Sequence, residues 1–261
     1  MITHKLTGNA FQLAICQLEP GQVVYAEPGK FVWKTQNVGV ETRLVASSSA
    51  QGGDAGQGGS GLLKKAIDIG KRAVAGEHLA FQYFSAVGGN GLLGLAGVVP
   101  GELRALELDG TRGWYTEKST LVGAESSVNF DISFAGIRRG IRGGTGFVLE
   151  HFTGSGTLFI AAAGNFIELN PAKYGGKIQV HAGCLVAFED TLTYGVERIG
   201  GLSAQTAMTA MFGAEGINLA TLEGDGTVLL QSMSLEALAN SLHPYLPSSG
   251  DESKPGLGNL F

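Results

Sequence analysis

The chain has 261 residues, 42 of them glycine, and 18 Lys and Arg against 23 Asp and Glu, a formal net charge of -5. That length admits one large β unit or two to three small domains, and the acidic balance argues against a nucleic-acid surface, where a basic patch is expected. Two cysteines, Cys16 and Cys184, are too few for a disulfide framework and read as buried reduced thiols.

Met1-Ile2-Thr3-His4-Lys5 has no basic region leading into an apolar core, so no secretory signal is expected. No run of about 18 apolar residues predicts a membrane span. The expected compartment is the cytoplasm. Residues 6–18 alternate loosely, with Phe11, Leu13 and Ile15 on one side, and predict a strand. Glu19-Pro20-Gly21 and Glu27-Pro28-Gly29 predict turns, because Pro presets the first corner and Gly takes the second. Strands are expected over 22–26, 31–34 and 38–45, with Val38, Val40 and Leu44 on one face.

Residues 47–61 form a Ser, Gly, Gln and Asp loop with little to bury. Leu62, Leu63, Ala66, Ile67, Ala73 and Val74 then fall at helical spacing and predict a short helix over 62–75. Its Lys64, Lys65, Lys71 and Arg72 read as a solvated face rather than a membrane or nucleic-acid contact. Phe130, Ile132 and Phe134 alternate with Asp131 and Ser133, which places the apolar set inward. Leu192, Tyr194 and Val196 do the same. Ser234 predicts the N-cap of a closing helix that runs to Leu242, and residues 248–261 read as a polar tail.

One pattern occurs three times. Gly89-Asn90-Gly91, Gly154-Ser155-Gly156 and Gly224-Asp225-Gly226 each separate two apolar runs, and each predicts a β-hairpin. Upstream of each lies a second repeated unit: Gly29-Lys30-Phe31-Val32, Ser119-Thr120-Leu121-Val122 and Gly183-Cys184-Leu185-Val186. The halves keep the same order each time, which reads as an internal triplication. The stub over 137–142 is basic, with Arg138, Arg139 and Arg142. The equivalent stub over 207–212 carries no charge, so these arginines read as local surface choices.

No catalytic set emerges. The five histidines, His4, His78, His151, His181 and His243, include no His-x-His. His151 and His181 could supply two ligands of a metal, which usually takes three or four; polar strand histidines are the better reading. Glu77, Glu102 and Glu215 sit at turns, where a carboxylate more often accepts backbone N–H groups than performs acid–base chemistry. Ser126, Ser127 and Ser203 lack a nucleophile-elbow setting. A strand, not a helix, follows each Gly-x-Gly, so a dinucleotide fingerprint is not supported. Catalytic, cofactor-binding and metal-ligating residues are therefore assigned to none.

Taken in order, Glu27-Pro28-Gly29, Gly183-Cys184-Leu185-Val186-Ala187-Phe188, the run from Gly213 through Gly226, and Leu242-His243-Pro244-Tyr245-Leu246-Pro247 resemble the altered-inheritance-of-mitochondria protein 24 family. The resemblance covers residues 6 to 247. It implies an all-β fold of three tandem modules similar to the tryptophan RNA-binding attenuation protein, each a short double-stranded β-helix or jelly-roll sandwich. Residues 6–103 would form the first module, 104–165 the second, 166–247 the third with its closing helix. The implied role is non-catalytic, structural or binding, with no cofactor. Single-stranded nucleic-acid binding, by analogy with the attenuation protein, and a cupin-like metal enzyme are the alternatives. The end modules leave open sheet edges, and the resemblance to attenuation-protein rings implies that a homotrimer closes them.

Overall fold

The structure, a computed structural model, describes residues 1–44, 80–134, 148–198 and 218–246. The loop over 47–61, the helix over 62–75, the two stubs and the tail over 248–261 lie outside the described residues. No helix among the described residues is long and apolar enough to cross a membrane.

The chain is mostly β. Residues expected to form one strand over 6–18 instead form an antiparallel pair, β1 (Thr3–Thr7) and β2 (Leu13–Leu18). Gly8 breaks the run with φ of 97°, and Phe11, expected on one side with Leu13 and Ile15, is 72% exposed while those two are half-buried. Then follow β3 (Val23–Ala26), β4 (Phe31–Lys34), β5 (Val38–Leu44), β6 (Ala80–Ala86) and β7 (Gly91–Ala96). Val38 is buried but Val40 is exposed, so β5 leaves the core after its first turn of pleat. Next come β8 (Leu103–Asp109), β9 (Trp114–Glu117), β10 (Leu121–Glu125), β11 (Val128–Phe134) and the long β12 (Val148–Ala161). The last set is β13 (Phe166–Leu169), β14 (Lys177–His181), β15 (Leu185–Glu189), β16 (Thr193–Arg198), β17 (Asn218–Glu223) and β18 (Val228–Gln231). The expected closing helix is α1 (Leu235–Leu242), with the Ser234 hydroxyl accepting from the Ala237 amide.

The Gly-x-Gly elements do not make hairpins. The strand before and the strand after each element lie in different sheets or in different pairings. β6 pairs with β3 and β5, whereas β7 pairs with β2 and β4. β17 pairs with β14 and β16, whereas β18 pairs with β13 and β15. In the middle copy, β12 runs straight through Gly154-Ser155-Gly156: its first half pairs with β11 and β9, its second with β8 and β10. The glycines turn a corner between sheets, which demands the same left-handed backbone as a tight hairpin. Gly154 has φ of 96° and Gly224 of 123°.

One strand path therefore recurs. β5-β6-β3, β11-β12-β9 and β16-β17-β14 correspond, as do β2-β7-β4, β8-β12-β10 and β13-β18-β15. Each of β4, β10 and β15 carries a bulge at the same place, Val32, Val122 and Val186. One side chain after another repeats its role as well. The Leu92 amide donates to Thr35 Oγ1 at 3.0 Å, the Thr157 amide to Glu125 Oε1 at 3.3 Å and the Thr227 amide to Glu189 Oε2 at 2.9 Å.

Three apolar clusters fill the interior of the described residues. The first gathers Phe84, Leu93, Leu95, Val122 and Phe159; the second Phe81, Leu121, Phe152, Leu158 and Val186; the third Leu185, Phe188, Leu222 and Val228. Phe130 packs against the second from a half-buried position, its ring 5.4 Å from Phe81 and 5.6 Å from Phe152. Burying each of these large side chains contributes about 1.5–3 kcal/mol.

Candidate functional site

Two features stand out among the described residues: a buried polar group between the first and second repeats, and the sheet edges at β4 and β14.

The polar group centres on Glu150 of β12, which alternation within the strand points into the second apolar cluster together with Phe152. Only 3% of Glu150 is exposed, and its Oε2 has no hydrogen-bond partner. Thr116 sits directly opposite on β9, fully buried, its Oγ1 equally unpartnered. Lys30 reaches across from the turn before β4 and is itself buried; its Nζ donates to the Ser119 carbonyl at 3.3 Å and lies 3.9 Å from Glu27. Burial pushes the Glu27 carboxyl up to about 7, against the opposing pull of Lys30 and Lys118. Burial raises Glu150 well above the usual carboxylate range, and the neighbouring Glu27 adds to it. Burial likewise lowers Lys30. A desolvated carboxyl favours its neutral form. Chemically, the carboxyls of this group hold their protons more tightly than exposed carboxyls do. Gln82 occupies the position on β6 that Glu150 occupies on β12, and its Oε1 is also buried and unpartnered; Ala220 takes that place on β17.

The residues singled out from sequence do not converge. His151 lies on β12, stacked on Tyr115 with ring centroids 4.3 Å apart, and its Nε2 is 3.2 Å from Asp190 Oδ2. His181 ends β14 in a different sheet, where its Nδ1 accepts from the Gly183 amide at 3.1 Å. His4 packs edge-on against Phe159, and His243 follows α1. Glu102 accepts from the Phe166 amide at 2.9 Å, the backbone role expected of a turn glutamate. Cys16 is fully buried, with burial pushing its thiol up to about 12, while Cys184 is half-buried. Ser126 lies in the turn between β10 and β11, its amide donating to the Val23 carbonyl at 2.9 Å. His78, Glu77, Glu215, Ser203 and the three arginines lie outside the described residues. Among the described residues, no three His, Cys, Asp or Glu side chains gather as metal ligands. Glu150 and Thr116 escaped the sequence reading because the burial of a polar strand residue depends on which sheet covers it, and Lys30 because a charged residue in a turn is ordinarily solvated.

The edges arise from the repeat. β10 of the second repeat pairs with β3 of the first, and β15 of the third pairs with β9 of the second. The corresponding strand of the first repeat, β4, ends the four-stranded sheet, and the corresponding strand of the third, β14, ends the three-stranded one. Among the described residues, neither has a strand paired on its outer side, which leaves a row of backbone N–H and C=O groups there.

Comparison with known proteins agrees with this architecture. An uncharacterized protein of Streptococcus pyogenes serotype M6 is 29% identical over 242 residues, covering 92% of this chain and 89% of its own length. The crystal structure of a protein from Streptococcus pyogenes superposes with a TM-score of 0.70 at 24% identity, covering 94% of this chain and 100% of its own; it shows likeness of fold. The family described as Mitochondrial biogenesis AIM24 matches residues 4–233, so the chain belongs to that family.

Proposed function

We propose that this protein is a non-catalytic structural or binding protein whose working form is a closed, head-to-tail homotrimer of attenuation-protein-like β modules, three to a chain. The observation that carries this reading is the two internal seams, β3 with β10 and β9 with β15, set against the unpaired strands β4 and β14 at the two ends. Whatever rotation relates one repeat to the next is already used twice within the chain. Applied again, it brings β14 of one copy to β4 of another. Heterologous contacts of this kind close into rings when the rotation fits. The number three comes from the resemblance to attenuation-protein rings, since nine modules approach their curvature. A rigid ring of this kind presents its faces to a partner and needs no cofactor of its own. Size exclusion coupled to light scattering tests it: three times the 27.0 kDa chain mass is expected, and a monomer at micromolar concentration would overturn the reading.

A further inference from the structure

The two internal seams share one register, and it can be transferred residue by residue to the missing third. In the first seam, Gly123 lies opposite Ala26, Ala124 opposite Tyr25 and Glu125 opposite Val24. In the second, Ala187 lies opposite Thr116, Phe188 opposite Tyr115 and Glu189 opposite Trp114. Each seam is extended by one further backbone bond: the Ser126 amide donates to the Val23 carbonyl at 2.9 Å, and the Asp190 amide to the Gly113 carbonyl at 3.0 Å.

Side chains at the bulge show what a seam buries. Leu121 packs into the second cluster, with its own repeat, while the next residue, Val122, packs into the first cluster, belonging to the repeat before. Leu185 and Val186 divide in the same way between the third and second clusters. Val122 and Val186 are both 0% exposed. In the first repeat, Phe31 keeps the home role, stacked on Phe84 at 5.4 Å. Val32, the residue equivalent to Val122 and Val186, is 53% exposed. Among the described residues, no such valine enters the third cluster.

We infer that β4 of one copy pairs antiparallel with β14 of a second copy, Trp33 opposite Val180, Lys34 opposite Gln179 and Thr35 opposite Ile178, with Val32 inserted into the third apolar cluster of that second copy. The Gln36 amide then donates to the Lys177 carbonyl across the seam. One position departs from the internal seams: Trp33 stands where they have Gly123 and Ala187. Its indole lies over Gly94 of its own sheet, where a Cβ would have no room, so its bulk is housed within its own repeat. This inference rests on the head-to-tail reading and adds the register and the anchoring residue.

The test uses the full chain with Cys184→Ala, since Cys16 is fully buried. Residues directly opposite in an antiparallel pair have Cβ atoms about 4.5–5.5 Å apart, close enough for a disulfide with small adjustment. Lys34→Cys combined with Gln179→Cys should, under mild oxidation, give covalently linked copies that reduction releases, and neither single variant should. Linkage through Lys34→Cys with Lys177→Cys instead, in an oligomeric protein, would overturn the register but leave the head-to-tail reading standing. A monomeric parent would overturn both. Independently, Val32→Asp should weaken association roughly 100-fold, because a buried valine gives way to an unpaired charge. It should leave the circular dichroism spectrum unchanged, because Val32 is exposed in the single chain. An oligomer of undiminished stability in Val32→Asp would exclude Val32 as the anchor.

Discussion

Glu150 and Thr116 face one another across β12 and β9, both buried, and neither Glu150 Oε2 nor Thr116 Oγ1 has a hydrogen-bond partner. A buried polar group without a partner costs about 1–3 kcal/mol, more if it is charged. Burial therefore favours the protonated form of Glu150, and the nearby Glu27 carboxyl makes ionisation harder still.

Stability should accordingly depend on pH through this group. Burial raises the Glu27 carboxyl from 4.5 to about 7, so the folded chain holds its proton more tightly than the unfolded chain does. The stabilisation linked to that proton is fully present below the unfolded value and is lost as pH rises through about 7. At about 1.4 kcal/mol per unit, the loss amounts to about 3 kcal/mol. Relative to wild type, Glu27→Gln should gain in urea midpoint between pH 5 and pH 8. Glu150→Gln should gain in the same direction, since burial raises that carboxyl too. An unchanging difference from wild type at every pH would show that these carboxyls do not hold their protons.

The corners between sheets make a second prediction. Gly154 and Gly21 have almost the same backbone angle, φ of 96° and 90°. A Cβ on Gly154 would lie 2.7 Å from the Ser127 carbonyl oxygen, whereas a Cβ on Gly21 would meet nothing within 4 Å. Gly21→Ala should cost only the left-handed backbone penalty of about 1–2 kcal/mol. Gly154→Ala should cost at least about 1 kcal/mol more, because backbone must shift to make room. Equal losses in chemical denaturation would mean that Gly154 is no tighter a corner than an open turn.

The repeat was legible in the sequence because its signals are local. The small-to-apolar step into Phe31, Leu121 and Leu185 marks the three bulged strands, and Gly-x-Gly marks the three corners. The pairing was not legible. A left-handed glycine serves a hairpin and a corner equally, and only long-range packing decides which strand lies beside β6 or β17. Val32 illustrates the same limit. It matches Val122 and Val186 in sequence, yet it is 53% exposed, because among the described residues no strand lies beside β4 on its outer side. The Glu150 group was hidden because burial of a polar strand residue depends on which sheet covers it.

The central claim is that the edges at β4 and β14 meet between copies and close a ring. A closed ring gives every chain two seams, so intermediates with one seam are poorly populated and dissociation is cooperative. Sedimentation velocity over a dilution series measures this most directly. The expected result is one species at three times the chain mass, giving way on dilution to monomer without an appreciable dimer. A mass that climbs steadily with concentration would mean that the edges meet without closing, and a monomer at every concentration would mean that they do not meet at all.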